Sequence, residues 1–280
     1  KIRSTSFDNG GNNTDLNFVD LFTGMYKKSL SWENEILLTL GKTGDPNARL
    51  WGGATESSDG SKTAINKMNN IALSGKLAWT LAQSGSYNGP EELRQGNAKS
   101  HSLLLEYSLS PGDSSGYYNE EQSENKSPLH ISKRTENSKA RAFPFHENYK
   151  PTLILFNPRG DLSELNIDGV FNADRLMNAQ VYSLGYRYDE LGFGLFETKL
   201  SYAFLSEKMP QDVKQYYQEN PDQQVIGFYG NNLGVELDLH FKKHLRHDFI
   251  TGLSVGVLFP GDAWKTAHNK SLPNTYRIEG

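Results

Sequence analysis

From Leu233 to Lys242 apolar and polar residues alternate without a break. Leu233, Val235, Leu237, Leu239 and Phe241 fall on one side, and Gly234, Glu236, Asp238, His240 and Lys242 on the other. Period-two alternation predicts a strand with one greasy and one charged wall. Residues 243–248 read as a tight basic turn. A second strand follows over 249–259, with Phe249, Thr251, Leu253, Val255, Val257 and Phe259 outward and Gly252, Ser254 and Gly256 inward. Neighbouring strands of about ten residues, apolar on one face and small or charged on the other, match the lipid face and wet lumen of an outer-membrane β-barrel.

The same alternation, bounded by Gly, Asn, Asp and Pro clusters, predicts ten strands. They span about 15–25, 32–42, 71–82, 100–109, 152–157, 162–171, 179–188, 193–205, 232–242 and 249–259. In 71–82, Ile71, Leu73, Leu77, Trp79 and Leu81 oppose Ala72, Ser74, Lys76, Ala78 and Thr80. With 162–171 counted as a strand, the connections mostly alternate in length, as barrels require of periplasmic turns and outer loops; 83–99 is then an unusually long turn and 172–178 a short loop. Segments 26–31, 189–192 and 243–248 fall on the short side, and 43–70, 110–151, 206–231 and 260–280 on the long side. The final residues, Asn274 to Gly280, do not read as a closing amphipathic strand. Residues 211–219, between Pro210 and Pro221, have the makings of a short loop helix. Chain 1–280 reads as a single antiparallel, all-β transmembrane barrel domain, a segment of a larger barrel incomplete at one or both ends.

Composition removes competing classes. No run approaches the roughly 20 apolar residues of a spanning helix, and the mean hydropathy is negative. A barrel tolerates this, because only alternate strand residues meet lipid. The absence of cysteine suits passage through an oxidising periplasm, though many cytosolic chains also lack it. With a net charge of −4 and no basic stripe, nucleic acid is not an expected partner.

Catalytic patterns dissolve on inspection. Gly252-Leu-Ser-Val-Gly256 matches the hydrolase elbow, but that motif needs a sharp turn from strand to helix and here sits inside an alternating strand. His240, His244 and His247 would share a helix face as metal ligands, yet they fall at a strand end and a turn. Lys42-Thr43 lacks the earlier glycine of a phosphate loop, since position 36 is Ile. His101-Ser102 invites comparison with barrel-wall phospholipases, but no orienting asparagine accompanies it. No enzyme, cofactor or metal site is expected.

The inward positions carry more information. Lys76, Glu106, Arg187, Glu197, Lys199, Glu236, Asp238 and Lys242 fall on polar faces and are the pore-lining candidates. Such charges select solutes or brace the wall by pairing across strands, and one residue can do both. Trp32, Trp79, Tyr186, Tyr188, Phe259 and Trp264 are the candidate membrane-interface aromatics, a girdle that a soluble β-sandwich would bury instead.

The hairpin's Gly234-Val-Glu-Leu-Asp238 strand and the strand ending Phe259-Pro-Gly261 resemble the C-terminal hairpin of the alginate-export porin family. Residues 143–156 are similar to a stretch of related large porin-like proteins. The resemblance implies an outer-membrane barrel with an arginine-rich pore for a polyanion. The matching strand here supplies Glu236 and Asp238 instead, so alginate as cargo does not carry over. The expected function is a porin-like channel in the outer membrane of a Gram-negative bacterium, in contact with lipid and passing a hydrophilic solute or polysaccharide. The alternative is a plugged barrel serving a structural or protein-interaction role.

Overall fold

A computed structural model describes residues 2–9, 12–43, 66–84, 99–112, 139–140, 151–156, 176–190, 193–219, 226–246, 249–265 and 272–280. Its strands are β1 (Ile2–Asn9), β2 (Asn12–Lys27), β3 (Leu30–Thr43), β4 (Asn66–Ser84), β5 (Lys99–Ser110), β6 (Lys139–Ala140), β7 (Ala179–Glu190), β8 (Gly194–Leu205), β9 (Asn232–Arg246), β10 (Phe249–Pro260) and β11 (Thr275–Glu279). All but β6 lie side by side, each antiparallel to its neighbours, in the order β1-β2-β3-β4-β5-β7-β8-β9-β10-β11. The two-residue β6 lies parallel to β4. Among the described residues no pairing joins β1 to β11, so the sheet is open. A short helix, α1 (Gln211–Glu219), lies between β8 and β9.

The sheet has two ends. The β2–β3, β4–β5, β7–β8 and β9–β10 connections gather at one end, and at the other lie the β3–β4, β5–β7, β8–β9 and β10–β11 connections. The expected sidedness survives although one expected strand does not. Residues 151–156 form no strand, and β5 pairs directly with β7. The expected strand at 162–171 lies outside the described residues. Two other expectations are corrected. Strand β9 runs on to Arg246, which shortens the basic turn, and the chain's last residues form β11, with Tyr276 and Ile278 exposed on alternate positions.

Strands β2 to β5 and β7 to β10 are 12–19 residues long. About 9–11 tilted residues cross a bilayer's hydrocarbon, so each strand has length to spare beyond an apolar band. One sheet face exposes such a band: Leu21, Trp32, Ile71, Trp79, Leu105, Tyr182, Leu184, Leu200, Tyr202, Leu237, Leu239, Leu253 and Ile278 are all exposed. The opposite, inner face carries the small and charged residues. Among the described residues no helix is long and apolar enough to cross a membrane.

The unbroken alternation of β9 fails at one residue. Gly234 takes a φ of +127°, a conformation open to glycine and strained for other residues, and the register with β8 shifts there. Leu233 is thereby sunk into the interior instead of joining Leu237 and Leu239 outside. It belongs to an apolar cluster at the long-connection end of the inner face, formed by Val181, Ala203, Leu205 and Leu258 with loop residues Phe156, Leu176, Met209 and Phe228. That end is filled with apolar side chains, which departs from the wet lumen expected of the inward face.

Candidate pore-lining face

Strand register brings the inward charges into contact because cross-strand neighbours share a face. Lys76 and Glu106 are partners across β4 and β5, with Nζ 2.8 Å from Oε1. Arg187 and Glu197 are partners across β7 and β8, and the guanidinium donates twice to Oε2, at 2.8 and 2.6 Å. Lys199 Nζ stands 3.6 Å from the other Glu106 oxygen. Lys76, Glu106 and Lys199 thus make one chain of alternating sign. Lys242, near the short-connection end, is exposed.

Glu236 and Asp238 are placed differently. Both are 0% exposed, beneath the buried segment 151–156 that crosses the inner face. Glu236 accepts the backbone N–H groups of Ile154 and Leu155 at 2.6 and 2.9 Å, and Asp238 accepts that of Leu153 at 3.3 Å. Lys199 Nζ donates to the Pro151 carbonyl at 2.7 Å, fixing the segment's other flank. These bonds tie the segment to β8 and β9. They satisfy backbone donors that would otherwise be buried without partners. Among the described residues Oδ1 of Asp238 has no hydrogen-bond partner.

Gly256 explains why the segment sits so close. It is the β10 partner of Asp238, and a Cβ there would stand 3.0 Å from both Asp238 Oδ1 and Leu153 Cδ2. The hydrolase-like spacing Gly252-x-Ser254-x-Gly256 is thus accounted for at its last position by packing. Ser254 Oγ lies 2.9 Å from His240 Nδ1, within a strand paired on both sides to β9 and β11. His101 and Ser102 point to opposite faces. The His101 ring meets the Tyr186 hydroxyl at 2.6 Å outside, while Ser102 shares the inner face with Arg187, its partner in register. Among the described residues no group of three or more His, Asp or Glu is placed to hold a metal ion.

The candidate interface aromatics divide. Trp32, Trp79 and Phe259 are exposed on the apolar face, and Tyr186 and Tyr188 are half-buried around His101, whose ring centroid lies 4.9 Å from that of Tyr188. Trp264 is corrected. It is 8% exposed in a 3-10 turn, Asp262–Trp264, and its Nε1 donates to the Leu233 carbonyl at 2.6 Å. The turn folds back because Asp262 Oδ1 accepts the Asn232 N–H at 3.0 Å.

One polar residue on the outer face also has partners. The Asn34 amide donates to the Tyr107 hydroxyl at 2.7 Å and accepts from Trp32 Nε1 at 3.0 Å. Sequence reasoning missed the role of 151–156. Its apolar run Leu153-Ile-Leu-Phe156 signals burial, but nothing local distinguishes a strand from a segment laid over one. No protein-family model matches the chain, and no curated protein matches it.

Proposed function

We propose that the chain forms the wall of an outer-membrane β-barrel and acts as a porin-like channel for hydrophilic solutes or a polymer, narrowed from within by segment 151–156. The observation that carries this reading is the division of one antiparallel sheet into two faces. One exposes Leu, Ile, Trp and Tyr across nine strands, from β2 to β11, and the other holds the Lys76–Glu106–Lys199 chain and the Arg187–Glu197 pair. In water such an exposed apolar face is a liability, whereas against lipid it is the stable arrangement. The lipid contact, the Gram-negative outer membrane and the kinship with alginate-export porins belong to the same proposal.

Reconstitution of the full chain in planar bilayers tests it. Stepwise ion conductance is the expected result. A bilayer-inserted protein that never conducts would favour the second reading, a plugged barrel with a structural or protein-binding role. That reading draws on the latched segment 151–156 and the apolar cluster around Leu233 and Phe156.

A further inference from the structure

Phe22 and Tyr26 stand on the wrong face for aromatics. Strand register pairs Phe22 with Glu35 and Gly24 with Glu33, and those carboxylates pair in turn with Ser74 and Lys76, so all share the polar inner face. Yet Phe22 is 63% exposed and Tyr26 65% exposed. Neither ring contributes the burial that normally justifies an aromatic.

Both rings lean over Gly24. A Cβ at Gly24 would stand 3.2 Å from Tyr26 Cε2 and 3.4 Å from Phe22 Cε1. The Tyr26 hydroxyl donates to Glu33 Oε1 at 2.6 Å, holding that end of the strip. Beside it lies a polar cavity of about 370 Å³, lined by Phe22, Glu33, Glu35, Ser74, Lys76 and Glu106 among others. That volume falls in the range of about 300–1,000 Å³ typical of small-molecule sites.

Resting on the channel reading, we infer that this strip is a carbohydrate-binding site in the lumen, selective for amino sugars over neutral sugars and for both over uronates. An apolar platform edged by acceptors matches a pyranose, which offers a C–H face to the rings and a rim of hydroxyl donors to carboxylates that only accept. The charge decides among sugars. Glu33, Glu35 and Glu106 line the cavity against Lys76 and Lys199, and both lysines are already held by Glu106, Lys76 at 2.8 Å and Lys199 at 3.6 Å, which leaves Glu33 and Glu35 to face a ligand. An ammonium group is drawn by the carboxylates and by the ring faces, and a uronate carboxylate is repelled.

The test is calorimetric titration of the full chain in detergent with a glucosamine trisaccharide, a neutral glucose trisaccharide and a uronate trisaccharide. The glucosamine oligomer should bind about tenfold or more tighter than the uronate. Phe22→Ala and Tyr26→Ala should each weaken it about tenfold, as loss of a cation–π and stacking contact. Tyr26→Phe, which keeps the ring, should stay within about threefold of the wild type. Both rings are exposed, so folding is not at stake in these variants. Uronate binding as tight as glucosamine, or binding indifferent to both alanine variants, overturns the inference. A protein that conducts in bilayers but binds none of the three overturns this site alone. One that binds glucosamine but never conducts supports the site and overturns the channel.

Discussion

The Glu236 carboxylate accepts the backbone N–H of Ile154 at 2.6 Å across 82 residues of sequence. Its second oxygen takes the next N–H, that of Leu155. A single side chain thereby takes two consecutive N–H groups of an otherwise irregular segment, beside the bonds from Asp238 and Lys199. Glu236→Ala should leave two buried donors without an acceptor, at a cost of about 1–3 kcal/mol for each. The expected outcome is faster amide exchange at Ile154 and Leu155 and a lower Tm, with the strand amides of β7 and β8 little changed. Unaltered exchange at those two amides would show that the latch is not what holds the segment.

Gly256 sets how closely the segment approaches. Gly256→Val drives its side chain into Leu153 and Asp238, and overpacking of this kind costs about 1–3 kcal/mol. Segment 151–156 should become cleavable by added protease. Gly256→Ala should show a smaller effect in the same direction. Equal protection in all three proteins would count against the close fit.

Much of this was legible in the chain, and what was not has a physical cause. Alternation placed Lys76, Glu106, Arg187, Glu197 and Lys199 on one face because the side-chain period of a strand is two residues, whatever its partners. It misplaced Leu233, because one glycine at positive φ shifts the register and turns its neighbour inward. It gave Trp264 to the surface because an aromatic near a strand end carries no local mark of whether the chain folds back. It read 152–157 as a strand because an apolar run bears the same pattern whether it joins a sheet or lies over one. The exposed Phe22 and Tyr26 were legible only once β3 fixed their register against Glu33 and Glu35.

Glu106 is shared by two ammonium groups, Lys76 and Lys199. Glu106→Gln removes the negative charge between them and leaves both lysines on the inner face. In a conducting barrel, the reversal potential under a salt gradient should move toward that of the more permeant anion. A reversal potential identical to that of the wild type would mean that ions do not pass this part of the wall.

In the proposed barrel the apolar face meets lipid. Leu200 lies in β8 with half of its surface exposed, on the face shared by Leu184 and Leu237. Stability of the Leu200→Arg protein in phospholipid vesicles, measured against the wild type, tests the claim most directly. A lipid-facing position predicts a loss of about 2–4 kcal/mol, because arginine in mid-bilayer loses its water. A change within about 0.5 kcal/mol, as for an ordinary water-exposed site, would contradict the account.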